Sequence, residues 1–231
     1  MTELHLDMLP PAQRDILPRL AGALSESGMY LAGGTALALY CGHRLSVDFD
    51  WFTEHLGNPE TLLQRLRDTG LHYTLLSQGR ETIYLEIDAV QVSCIGYAYP
   101  LLEPAHAFPE LSLSMASLDD ILCMKLSAVT NRGARKDFVD LHHAVTHLRP
   151  LSHYLHAYTQ KFNNRDIGHV IRSLVYFADA DTEPDVVMTD PISWSTIKHD
   201  FETWVRELSA DILSTHSGAE SMLNQRGRPA P

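Results

Sequence analysis

Two aspartates one residue apart, Asp48 and Asp50 in Val47-Asp-Phe-Asp-Trp51, carry the most pointed chemistry in the 231-residue chain. Along a strand alternate side chains share a face, so both carboxylates project one way while Val47, Phe49 and Trp51 take the other. Like charges this close repel, and a divalent cation between them relieves the repulsion. Hard oxygen ligands of this kind suit magnesium, or manganese, bound together with a substrate's phosphates. Upstream, the apolar Tyr30-Leu31 runs into Gly33-Gly34, where the backbone can turn sharply and approach a ligand with no Cβ in the way, and Thr35 opens a helix. Unpaired N–H groups at that helix start, with the positive end of its dipole, form an anion site suited to phosphate.

A glycine pair and a hydroxyl residue, then thirteen residues (Thr35 through Val47) before Asp-x-Asp, resemble the nucleotidyltransferase signature of the DNA polymerase beta superfamily. The local wording, Gly-Gly-Thr-Ala-Leu and then Gly42-His-Arg44-x-Ser46-x-Asp48-x-Asp50-x-Phe52, is more narrowly similar to the AbiEii/AbiGii toxin family of nucleotidyltransferase-like proteins. That resemblance implies a nucleoside triphosphate substrate seated by Gly33, Gly34, Thr35, Arg44 and Ser46, and a metal held by Asp48 and Asp50. It also implies a toxin of the abortive-infection type with a separately encoded antitoxin and, for some relatives, tRNA as acceptor. A third metal carboxylate normally comes from a neighbouring strand in the superfamily. Glu86 and Asp88, which share a face of Tyr84-Leu-Glu-Ile-Asp88, are the candidates, although Asp88 also reads as a hairpin turn residue.

A second group lies downstream. Lys125 interrupts an apolar helix, Leu122-Cys-Met-Lys-Leu-Ser-Ala-Val, and taken alone it reads as a lysine whose stem covers core while its ammonium reaches water. The resemblance implies more: Met124-Lys125-Leu126-Ser127-Ala128, followed by Arg135-Lys136-Asp137-Phe-Val-Asp140-Leu141, is similar to the family's lysine helix and its basic Asp-x-x-Asp-Leu segment. Lys125 and Asp137 then join the catalytic set, with Asp140 next in line and Asp137 a stand-in for the missing carboxylate. The plain alternative for the two acids is stabilisation of a helix N-terminus. His143 and His147 have the spacing of helical zinc ligands, but thirteen histidines make such coincidences cheap, and no zincin-type Glu accompanies them.

These residues need a sheet and helices to position them. Apolar spacing predicts helices over residues 12–27, 58–70, 117–129, 135–148, 152–162, 167–177 and 193–213. Runs rich in β-branched and aromatic residues at 72–77, 82–87 and 90–97 predict a meander, with an edge strand over 111–115. The expected fold is an α/β (α+β) mixed sheet flanked by helices and followed by a C-terminal helical bundle: residues 1–116 a nucleotidyltransferase-like domain, 117–217 a helical domain completing the site, 218–231 a flexible tail. No apolar run reaches membrane-spanning length and the start lacks a signal-peptide pattern, so the expected location is the cytoplasm. Net charge of −11 argues against a broad basic nucleic-acid surface but leaves room for a local patch at Asn131-Arg132-Gly-Ala-Arg135-Lys136. A different class of function keeps this fold and loses the chemistry: a disabled nucleotide- or protein-binding module, which the unassigned third carboxylate favours.

Overall fold

A computed structural model describes residues 3–226, with side chains described through residue 210. Seven strands form one mixed sheet: β1 (Tyr30–Ala32), β2 (Asp48–Thr53), β3 (Thr74–Gln78), β4 (Thr82–Ile87), β5 (Val90–Gly96), β6 (His106–Phe108) and β7 (Leu113–Met115). Their spatial order is β3-β4-β5-β2-β1-β7-β6. Pairing is parallel for β2 with β5 and for β1 with β7, and antiparallel for the remaining neighbours. The hairpin β4–β5 turns on Asp88 and Ala89, both with positive φ.

Helix α1 (Pro11–Ser25) precedes β1, α2 (Gly33–Cys41) and α3 (Pro59–Asp68) lie between strands, and α4 (Leu118–Asn131), α5 (Arg135–His147), α6 (Leu151–Phe162), α7 (Gly168–Ser173) and α8 (Trp194–Arg226) follow the sheet. Pro18 sits inside α1 without ending it. Asn58 caps α3 by accepting the Glu60 N–H, and Ser117 caps α4 by accepting the Asp120 N–H, as the sequence signatures foretell. Helix α7 is shorter than the 167–177 expected, and α8 continues past residue 213 into the expected tail; residues 227–231 of that tail lie outside the described residues. No helix among the described residues is long and apolar enough to cross a membrane.

Period-two alternation sorts β2 as expected from Asp48 onward. Phe49 and Trp51 are fully buried, with Val92, Cys94, Ile83 and Leu85 on the same face of β5 and β4 and the stripes of α1 and α3 in the same core cluster. Val47 departs from the expectation: it precedes the strand and is 61 % exposed. One contiguous core joins sheet and C-terminal helices. A fully buried ion pair fastens them: Lys161 of α6 donates to Asp120 of α4 (2.7 Å) and to the Pro100 carbonyl (2.9 Å), while Asp120 also accepts from Ser117 and the Leu102 N–H. Removing one partner strands the other charge in the core. Lys161→Met is expected to lower unfolding free energy by about 3–5 kcal/mol, read from urea denaturation.

Candidate functional site

A cleft of about 420 Å³ opens between the sheet face that carries Asp48 and Asp50 and the helices α4 and α5. Gly33, Gly34, Arg44, Ser46, Asp48, Asp50, Lys125, Arg132 and Lys136 line it. Its N-terminal half arises locally. Strand β1 ends at Ala32, Gly33 takes φ +70°, and α2 begins at once. A Cβ on Gly33 would stand 2.5 Å from Asp50 Oδ2, and one on Gly34 would collide with the Arg44 guanidinium. The glycine pair is therefore required by the site's own side chains as well as by the turn. β1 and β2 are antiparallel neighbours with Ala32 opposite Asp50, which brings the helix start beside the carboxylates.

Thr35 is buried and faces inward: its Oγ1 hydrogen-bonds the Asp48 carbonyl and lies 2.8 Å from Ser46 Oγ. It staples α2 to the start of β2 and does not line the cleft, whereas Ser46 does. Asp48 is partly open, with Lys136 Nζ 3.9 Å from its Oδ2. Asp50 accepts a short hydrogen bond from Ser93 Oγ, its cross-strand partner on β5.

The other half is an ion-pair network centred on Asp140. This fully buried carboxylate accepts from His43 Nε2 (2.8 Å), from Arg44 Nε and Nη2 (2.5 and 2.9 Å), and pairs with Lys125 Nζ at 2.6 Å. Lys125 also donates to Asp137 (2.9 Å), and Arg132 grips Asp137 with Nε and Nη2 at 2.8 and 2.9 Å. Burial by itself would raise the carboxylate pKa values, but Arg44 and Lys125 hold Asp140 well below the usual range, and Lys125 and Arg132 hold Asp137 below it. Burial likewise opposes the Lys125 ammonium, and the two carboxylates overcome it, so its pKa lies above the ordinary lysine value. Lys125 is thus no snorkelling residue: it is 4 % exposed and its charge is held inside the protein. Asp137 is fully buried with both oxygens engaged, and it stands behind Lys125 and Arg132 without lining the cleft.

Glu86 and Asp88 do not reach this site. Glu86 pairs with Gln91, which pairs with Asp48, so β5 separates it from Asp48 by two strand spacings, roughly 9.6 Å. Asp88 is in the hairpin turn. The residue facing Asp50 from the adjacent strand is Ser93, so the cleft holds two carboxylates. Asp48 and Asp50 are hard oxygen donors of the type that could hold a divalent cation, and the Ser93 hydroxyl orients Asp50. Among the described residues no group of three His, Cys, Asp or Glu side chains is arranged to hold a metal; His143 and His147 stack ring on ring at 4.5 Å instead.

The sequence carries no signal for Ser93 or His43, and it marks Arg132 and Lys136 only as members of a basic stretch. The basic stretch 131–136 was the available signal for the last two, and which of its charges face the cleft depends on the turn between α4 and α5.

A glycine-turn helix, a paired-aspartate strand and a lysine helix thus meet on one cleft, in a fold of the nucleotidyltransferase type. The family described as "Nucleotidyl transferase AbiEii toxin, Type IV TA system" matches residues 15–74 and 69–212, and the chain belongs to it. An uncharacterized protein of Aquifex aeolicus (strain VF5) is 33 % identical over 201 residues, covering 86 % of this chain and 97 % of the relative. Among solved structures, MenT4, a nucleotidyltransferase toxin from Mycobacterium tuberculosis, superposes with a TM-score of 0.52 at 14 % identity, over 81 % of this chain and 84 % of that one. A protein from H. pylori, assigned as a nucleotidyltransferase, gives 0.51 at 16 % identity, over 88 % and 94 %. At such identities these two likenesses show the fold alone.

The depressed carboxylate pKa values fix a pH signature. Stabilisation from Asp140 is fully present above the unfolded carboxylate pKa, about 3.9, and is lost as pH falls toward its lower folded value. Asp140→Asn is expected to cost about 3–5 kcal/mol near pH 7, and the gap between parent and variant should narrow below about pH 4 in urea titrations at stepped pH.

Proposed function

We propose that the protein transfers a nucleotide from a nucleoside triphosphate to an acceptor hydroxyl, with pyrophosphate as leaving group. The observation that carries this is the convergence on one cleft of Asp48, Asp50, the Gly33-Gly34 turn and four cationic side chains, Arg44, Lys125, Arg132 and Lys136. Asp48 and Asp50 are the residues that would hold magnesium or manganese, and such an ion supplies Lewis-acid activation of the attacking hydroxyl and charge neutralisation on the phosphates. The N–H groups at the start of α2 and the Arg44 guanidinium beside Gly34 seat phosphate oxygens. Lys125 and Arg132, fixed in place by Asp137 and Asp140, stabilise the negative charge that builds on the transferring and leaving groups. Asp137, already engaged by two cations and with a lowered pKa, acts as a positioning residue for Lys125. Residues 1–116 form the nucleotidyltransferase-like unit and 117–217 the helical unit that completes the site.

On the family's pattern the protein is the toxin of an abortive-infection toxin–antitoxin pair, acting in the cytoplasm beside a separately encoded antitoxin. The proposed acceptor is RNA, tRNA in particular. The two-carboxylate site is the observation that favours the alternative, a nucleotide-binding module without turnover.

Incubation of the full chain with each labelled nucleoside triphosphate, total RNA and magnesium decides between them: label should move to RNA, and binding without transfer would install the module reading. Asp48→Ala and Asp50→Ala should each abolish transfer while melting near the parent temperature. Lys125→Met is expected to slow transfer by about two to three orders of magnitude. It should also melt lower, because Asp137 and Asp140 lose a buried partner.

A further inference from the structure

The Asp140 carboxylate is filled symmetrically, with two contacts on each oxygen. Oδ2 accepts from Arg44 Nη2 and meets Lys125 Nζ, while Oδ1 accepts from Arg44 Nε and from His43 Nε2. Of the three residues that supply these contacts, Arg44 and Lys125 line the cleft and His43 does not. His43 instead lines a separate cavity of about 450 Å³, with Cys41, His143 and Met188 among its other walls. Its side chain is therefore placed to influence the cleft only through Asp140.

Everything around the imidazole commits it to that one bond. Asp140 is held ionised by its cations, so the shared hydrogen belongs to His43 Nε2 and the ring is the donor. Among the described residues its Nδ1 is buried without a hydrogen-bond partner. One ring face lies on His143, with centroids 4.7 Å apart and planes 29° from parallel, and His143 stacks in turn on His147. The main chain is fixed as well: Thr189 N–H donates to the His43 carbonyl at 2.9 Å and Thr189 Oγ1 to the Gly42 carbonyl at 2.6 Å. A ring held at its face and its backbone delivers its N–H in one direction.

Resting on the nucleotidyl-transfer reading, we infer that His43 is a positioning residue for that reaction: its Nε2–H locks the rotation of the Asp140 carboxylate and thereby fixes Arg44 and Lys125 in the cleft wall. Without this donor Oδ1 keeps a single contact, and the carboxylate is free to twist about the bond that joins it to its side chain. Arg44 would follow, being bound to both oxygens. Lys125 would follow too, because its Nζ is shared between Asp140 and Asp137. A displacement of about one ångström at groups that stabilise a transition state costs up to roughly a hundredfold in rate. A flexible triphosphate in the ground state adapts to such a displacement, so the loss falls on kcat and spares KM.

Three substitutions of the full chain separate the donor from the ring. Glutamine carries its amide nitrogen at the position of Nε2, asparagine stops one carbon short of it, and phenylalanine keeps a stacking ring with no donor. The adjoining cavity leaves room for the slightly larger phenyl ring. Transfer rates at varied nucleoside triphosphate, measured beside melting temperature, should follow the donor. His43→Phe and His43→Asn should lose about tenfold to a hundredfold in kcat with KM within about threefold of the parent. His43→Gln should melt lower, having lost the stack with His143, yet keep kcat within about threefold. Rates that follow melting temperature instead, with His43→Gln as slow as His43→Asn or His43→Phe as fast as the parent, would overturn the inference. So would a loss carried by KM alone, which would make His43 a contributor to nucleotide binding. A parent that transfers no nucleotide removes the nucleotidyl-transfer reading and this inference with it, whereas an active parent with equally active variants removes this inference alone.

Discussion

The buried Asp140 carboxylate is the constraint on which the rest of the site depends. It lies on α5, yet three of its hydrogen bonds come from His43 and Arg44, in the loop between α2 and β2, and its third partner is Lys125 on α4. A charge taken out of water is costly unless several groups satisfy it, so α4, α5 and the loop at residues 42–47 must come to one point. Once they do, Arg44 and Lys125 have fixed positions on the same anion, and both line the cleft. Asp140 itself never touches that cleft.

Asp137 repeats the device one helical turn away with Lys125 and Arg132. The two acids hold three of the cleft's four cations, and the cations in turn lower the carboxylate pKa values, so the network stays ionised through the neutral range. Preorganised charge of this kind needs no rearrangement when a polyanion arrives. The acids Asp48 and Asp50 are treated differently: among the described residues no arginine forms an ion pair with them, and the ammonium of Lys136 is 3.9 Å from Asp48 and half in water. The cleft thus sets cations held by buried carboxylates against two carboxylates that lack such partners.

The loop carrying Arg44 and Ser46 is held from outside as well. Arg44 forms an isolated β-bridge with Met188, Leu45 N–H donates to the Val187 carbonyl, and Thr189 N–H to that of His43. Arg135, at the start of α5, clamps the segment leading to this strap through Glu183, the Ala180 carbonyl and Asp185. The stretch 178–191, which separates the helices expected over 167–177 and 193–213, thus braces the site loop from residues more than a hundred positions downstream.

Much of this was legible in the chain because the relevant physics is local. Strand alternation set Asp48 and Asp50 on one face and buried Phe49 and Trp51 on the other; the glycine pair announced the turn; Ser117 and Asn58 announced their helices. The Asp-x-x-Asp spacing put Asp137 and Asp140 on one helical face. What only tertiary structure decided was partnership. Strand order inserts β5 between β2 and β4, which removes Glu86 from contention and sets Ser93 against Asp50, and no local pattern encodes the order of strands in a sheet. Thr35, which by type and position looked free to bind phosphate, spends its hydroxyl on Asp48 and Ser46 because α2 folds back on the start of β2. Lys125 reads as a surface cation in an apolar helix until α5 supplies two buried carboxylates beside it. Sequence periodicity fixes which way a side chain points along its own element. Whether that direction ends in water, in a ligand or in an opposite charge is set by elements distant in the chain, through burial and Coulomb energies that no neighbouring residue records.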